Sequence, residues 1–318
     1  MSKTQPIGMK RWPGLMAALA LAGCVANQAP VTIVKNSPIP TTLPETAPVD
    51  TPASAEARAY YAEVQQGLLA QGLMRTDGGG PDTPVTQHML VENFLRIALF
   101  DEYAHGMTGS VQQQTPSKLR RWMAPVRVAV RFGASVSADK RATDRARVGS
   151  YLQRLQELTG HPIGLNEANP NFFVYFVSED ERQALGPVMR AALPELTAAD
   201  VRSITNLDRS TYCMVYAQSD GGSGIYSKAF AVIRSEHPDL LRLSCMHEEI
   251  AQALGLPNDS PLARPSIFND DEEFALLTKQ DEMMLKILYD PALRPGMTEA
   301  EARPIVETLA SRLLGGES

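Results

Sequence analysis

Between residues 120 and 235, strand-like runs alternate with helical segments. This confines the chain to a layered α/β or α+β fold with a mixed sheet. Val126-Arg127-Val128-Ala129-Val130-Arg131-Phe132 repeats with period two, as a half-buried strand does. Ser137 then caps a helix in which Val148, Leu152 and Leu155 share a face, and Gly160 stops it. Residues 172–177 form a second strand, and a polar helix begins at Ser178. Residues 212–217 and 228–234 read as a third and a fourth strand, joined by Gln218-Ser219-Asp220-Gly221-Gly222-Ser223-Gly224. No helix follows those glycines at phosphate-loop spacing, so the segment predicts a hairpin turn rather than a nucleotide cradle.

Composition supports a folded domain. Of 318 residues, 44% are hydrophobic and 21% charged, which excludes wholesale disorder, collagen-like sequence and a polytopic membrane protein. Thirty basic residues against 36 acidic ones, with no basic stripe, give no electrostatic reason to expect a nucleic-acid partner.

The N-terminus predicts export. Lys3, Lys10 and Arg11 precede an apolar run, residues 15–22, that is too short to span a bilayer and fits a signal peptide over residues 1–23. Leu21-Ala22-Gly23-Cys24 resembles a bacterial lipobox, which implies cleavage before Cys24 and lipidation of its thiol. Val25 rather than Asp follows, so the resemblance implies an outer-membrane anchor with the protein facing the periplasm. Losing the three basic residues of the signal takes the formal charge from −6 to −9. Cys213 and Cys245 then remain as a pair in an oxidising compartment, where a disulfide is favoured over two buried thiols. Residues 24–54, with Pro30, Pro38, Pro40, Pro44, Pro48 and Pro52, read as the lipidated Cys and an extended tether.

From Ser54 the pattern is helical through Ala57, Tyr60, Val64, Leu68 and Leu69 to about Met74. Gly78-Gly79-Gly80-Pro81 breaks it, and Thr86 caps a second helix carrying Met89, Leu90, Phe94, Ile97 and Ala98. Residues 55–119 are thus expected to be a helical extension, residues 120–295 the main domain, and 296–318 a C-terminal helix and tail. His88 and His105 are assigned no role.

One segment carries chemistry: Cys245-Met246-His247-Glu248-Glu249-Ile250-Ala251-Gln252-Ala253-Leu254-Gly255-Leu256-Pro257-Asn258-Asp259. It reads as a helix ending at Gly255, with Met246, Ile250 and Ala253 on the buried side. A zinc-peptidase helix places two histidines at i and i+4, but four residues after His247 stands Ala251, so that standard arrangement is excluded. Aligned on Gly255, the segment resembles the metzincin pattern H-E-x-x-H-x-x-G-x-x-H. The resemblance puts Glu249 at the general-base position and Glu248, Gln252 and Asn258 at the three ligand positions, followed by Asp259. Phe268 falls where metzincins carry the methionine of their turn. Leu277-Thr278-Lys279-Gln280-Asp281 through Leu288-Tyr289-Asp290 resembles the last helix of matrixin-type domains. With the lipobox, these strings also resemble a proteobacterial lipoprotein family of unknown function over roughly residues 85–295. The resemblance implies an α/β (α+β) metzincin- or zincin-like domain, with a twisted mixed sheet and an active-site-type helix.

Three imidazoles suit zinc, whereas Glu248, Gln252 and Asn258 offer oxygen donors, which suit Ca²⁺, Mg²⁺ or Mn²⁺ and which Asp259 or Glu249 could strengthen. The same side chains can instead hydrogen-bond to one another, because amides both donate and accept. That metal-free cluster is the favoured expectation, so no cofactor is expected, with a divalent metal as the alternative. The expected function is non-catalytic binding or scaffolding of a cell-envelope protein or peptide through the old substrate cleft. The alternative is a metal-dependent, peptidase-like hydrolase with Glu249 as general base. Asp270-Asp271-Glu272-Glu273 reads as a solvated face, with a Ca²⁺ site as the weaker option. No G-x-S-x-G or other nucleophile signature is present.

Overall fold

A computed structural model describes residues 51–106 and 109–315. The expected signal peptide, Cys24 and all but the end of the expected tether lie outside these residues. Nine α-helices and eight strands are present among them. Along the chain they run α1 (Pro52–Ala70), α2 (Gln87–Ala98), β1 (Phe100–Gly106), β2 (Gly109–Pro116), β3 (Arg121–Trp122), β4 (Val126–Phe132) and α3 (Ala138–Thr159). Then come β5 (Ile163–Leu165), β6 (Phe172–Val177), α4 (Glu179–Gln183), α5 (Gly186–Ala192), α6 (Ala198–Thr205), β7 (Cys213–Ser219) and β8 (Ile225–Arg234). Three helices close the chain: α7 (Asp239–Gly255), α8 (Lys279–Leu288) and α9 (Glu299–Gly315).

Six strands form one mixed sheet in the order β3-β8-β6-β4-β5, all parallel, with β7 antiparallel against β8. β6 lies inside it, and all six of its residues are buried. Phe172, Val174 and Phe176 enter a core made with α2, α3, α7, α8 and α9, while Phe173, Tyr175 and Val177 enter a second core made with α5 and α6. Burial on both faces explains its unbroken apolar run. β4 keeps its period because only Ala129 of its second face reaches that smaller core, between Arg127 and Arg131. α3 begins and ends as its caps dictate: Ser137 Oγ accepts from Lys140 N, and Gly160 adopts φ +67°. The glycine-rich segment after β7 is a short 3₁₀ turn closing a β7–β8 hairpin.

The region before β3 departs from the expected helical extension, for β1 and β2 pair there as an antiparallel hairpin. α1 starts at Pro52, capped by Thr51, and stops at Ala70 short of Met74, which sits at φ +58°. α1 is docked through Tyr61, whose ring meets His237 edge-on at 4.4 Å and whose hydroxyl donates to the Arg209 carbonyl at 3.1 Å. Ser54 Oγ donates to Glu236 at 2.5 Å.

Cys213 and Cys245 are joined by a disulfide, with Cα atoms 5.8 Å apart. The bond ties the start of β7 to the middle of α7.

Candidate functional site

β7 and α7 face each other across a cleft of about 690 Å³. One wall is residues 210–217, the other is Glu248, Glu249 and Gln252 on α7, and Pro257, Asp259, Ile267 and residues 269–272 close one end. Leu68 of α1, Asp101 of β1, Arg120, and Tyr226 of β8 complete the lining.

α7 is held in place from its C-terminus. Gly255 has φ +124°, and a Cβ there would lie 2.1 Å from the Arg120 carbonyl oxygen, so only glycine lets the helix end against the strand that follows Arg120. The last carbonyls of α7 find side-chain donors: Trp122 Nε1 donates to Ala253 O at 2.8 Å and Tyr289 Oη to Leu254 O at 2.9 Å. Behind the helix, His247 stacks on Tyr151 with ring centroids 4.0 Å apart, and its Nδ1 accepts from Leu277 N at 3.4 Å. Burial pushes its pKa down to about 3, so it is neutral at ordinary pH. His247 therefore belongs to the packing behind α7, and its neighbours Glu248 and Glu249 to the cleft.

The five residues singled out from the sequence do not all converge. Glu248 is half-buried and Glu249 only 3% exposed, and both line the cleft. Gln252 Nε2 donates to both carboxylate oxygens of Asp259, at 3.1 and 3.2 Å. Asn258 is the exception. It is fully buried against α2, where its amide donates to Arg96 O at 2.8 Å and its backbone N–H to Ile97 O at 3.2 Å. Asn258 is not part of the cleft lining. Zinc does not fit this set, which has no imidazole and has one of its three positions turned onto a neighbouring helix. Among the described residues, no group of three or more His, Cys, Asp or Glu side chains is arranged to hold a metal ion.

The turn beneath the cleft is built around Asp281, the N3 residue of α8. Its buried carboxylate accepts from Ser266 Oγ at 2.5 Å, Ile267 N at 3.1 Å and Thr278 N at 2.8 Å. This fixes residues 266–268, so Phe268 points into the core while Ile267 lines the cleft. Desolvation still outweighs those three bonds and raises the Asp281 pKa to about 6.

The acidic run after this turn is not wholly a solvated face. Asp270 and Asp271 are exposed, but Glu272 is half-buried in the cleft. It is drawn in because Met74 N and Arg75 N donate to Glu272 O and Glu273 O, each at 2.8 Å, and it takes φ +57° to do so. Burial, then the charges of Asp270 and Asp271, push the Glu272 carboxyl up to about 7. Burial and Asp271 raise Asp270 as well.

Sequence reasoning missed the Arg120 group. Arg120 forms an ion pair with Asp101 and hydrogen-bonds Tyr226. No local pattern signals this, since the three residues come from separate strands and connections.

A family model described as a protein of unknown function (DUF2927) matches residues 87–308, well over half of the chain. No curated protein and no solved structure matches the chain.

Proposed function

The chain belongs to the DUF2927 family, and from that premise we propose that it is a periplasm-facing, lipid-anchored protein of the outer membrane whose metzincin-like cleft binds a cell-envelope polypeptide without cleaving it. The observation that carries this reading is the use already made of the ligand-position side chains. Gln252 is engaged by Asp259, and Asn258 by the end of α2. A peptidase cleft needs charge stabilisation at the scissile carbonyl, and a carboxylate such as Glu249 supplies a base but not that stabilisation. The cleft itself suits a polypeptide: among the described residues β7 pairs only with β8, so one edge of the sheet borders it. The metzincin likeness draws support from the parallel strand β8 leading directly into a glycine-terminated α7, with a pinned turn beneath.

Full-length protein is expected to leave a mixture of unstructured peptides intact, with or without added Zn²⁺, Ca²⁺ or Mn²⁺, as judged by mass spectrometry. Hydrolysis that Glu249→Gln abolishes would overturn the non-catalytic reading in favour of the hydrolase. For the anchor, Cys24→Ser is expected to move the protein from the membrane to the soluble fraction, and unchanged fractionation would refute lipidation.

A further inference from the structure

We propose that the polypeptide held in this cleft presents basic side chains, lysine or arginine, to the carboxylates around it. The inference rests on the binding reading above and adds the chemistry of the partner. Besides Asp101 of β1, carboxylates reach the cleft from three separate parts of the chain: Glu248 and Glu249 from α7, Asp259 from the loop after it, and Asp270, Asp271 and Glu272 from the segment beyond the turn. Among the described residues lining the cleft, Arg120 is the one basic side chain, and it is committed to Asp101 and Tyr226. The described lining thus carries a marked excess of negative charge around a volume of about 690 Å³.

Charge gathered in a concave site focuses the field and attracts a ligand of opposite sign. At the end of the cleft formed by residues 269–272, burial first and then Asp270 and Asp271 raise the Glu272 carboxyl, and burial and Asp271 raise Asp270, so negative charges already repel one another there. A cation placed among them relieves the repulsion. The opposite wall suits the rest of a basic side chain: Tyr212, Met214 and Val215 are half-buried and offer apolar surface for the methylene stem of lysine or arginine. An acidic or uncharged segment would gain the stem contacts alone.

The test is fluorescence anisotropy on full-length protein with three labelled peptides of about ten residues, alternating Ala with Lys, Ser or Glu, at about 150 mM salt. The lysine peptide is expected to bind saturably, at least about tenfold tighter than the serine peptide, with the glutamate peptide weakest. Asp270→Asn combined with Glu272→Gln is expected to weaken the lysine peptide by about tenfold, while the exposed control Glu56→Gln leaves it unchanged. Circular dichroism and a melting curve on the double variant separate lost binding from lost folding. If serine and lysine peptides bind equally and both respond to Glu248→Gln, the cleft binds polypeptide without charge selection, and only this inference fails. If no peptide binds, the binding reading fails with it. Competition by spermine or by Ca²⁺ at concentrations below the peptide's own Kd would assign the charge to a small cation and overturn the proposal.

Discussion

The two sides of α7 treat acidic residues in opposite ways. Behind the helix, the buried carboxylate of Asp144 meets a defined donor set. Asp144 accepts from Arg242 Nε at 2.9 Å and Nη2 at 2.5 Å, with both side chains almost fully buried. Elsewhere in the fold, Glu179, the first residue of α4, is bound by Arg182 and Arg234. In front of the helix, seven carboxylates line a cavity whose one basic lining residue, among those described, is tied to one of them, Asp101. The contrast is what the proposed binding of a basic segment in the cleft would require.

Breaking a matched pair gives the largest effect. Arg242→Met leaves Asp144 as a charge in the core and removes the guanidinium that lies 4.7 Å over the Phe176 ring. Chemical denaturation is expected to show a loss of about 3–5 kcal/mol. A loss under about 1 kcal/mol would mean that water reaches Asp144, and the comparison between the two sides would collapse.

The disulfide is the covalent link between the two walls of the cleft, Cys213 on β7 and Cys245 on α7. It closes 32 residues, for which the loop-entropy argument gives about 2–4 kcal/mol. The Cys213→Ala, Cys245→Ala double variant is expected to lose that much on denaturation. The lysine peptide should bind the surviving folded protein more weakly, because β7 is then free to move from α7. Unchanged peptide affinity would show that the sheet alone sets the width of the cleft.

The readability of this fold from sequence follows from where the determining contacts lie. β4, α3 and β6 were legible because their periods and caps are local, as Ser137 and Gly160 illustrate. The β7–β8 hairpin was legible from its turn, and the disulfide from the compartment that the N-terminus implies. α5 and α6 were not read: they span seven and eight residues, too short for a period to emerge. The β1–β2 hairpin was hidden because Gly109-Ser110-Val111-Gln112-Gln113-Gln114 lacks alternating apolar residues. At the site, helical spacing placed Glu248, Glu249 and Gln252 together. Counting onward to Asn258 gave its position but not the direction in which the loop turns, and that is set by Ile97 and Arg96 on α2. Glu272 was misjudged for a similar reason, since it is drawn inward by a strand-like pairing with residues nearly two hundred positions earlier.

The smallest expected effect has the opposite sign to that of breaking the Asp144 pair. Glu272 has a folded-state pKa of about 7 against an ordinary value of 4.5. A carboxyl raised in this way contributes stability that is fully present below its unfolded pKa and is lost as pH rises through its folded pKa. The melting temperature of the wild type is therefore expected to fall mainly between about pH 4.5 and 7, by the equivalent of about 1–2 kcal/mol once the partial exposure of Glu272 is discounted. Asp281, raised to about 6, adds to the decline at the lower end of that interval in wild type and variant alike. Glu272→Gln removes the charge that is costly above pH 7, so it is expected to flatten the upper part of the decline and to stabilise the protein there by about 1 kcal/mol. A basic peptide in the cleft should act on the wild type in the same direction, holding Glu272 ionised and moving the decline to lower pH without the mutation. If Glu272→Gln destabilises at pH 8 instead, the carboxylate has a structural partner as Asp144 does, and the division between the two faces of α7 is lost.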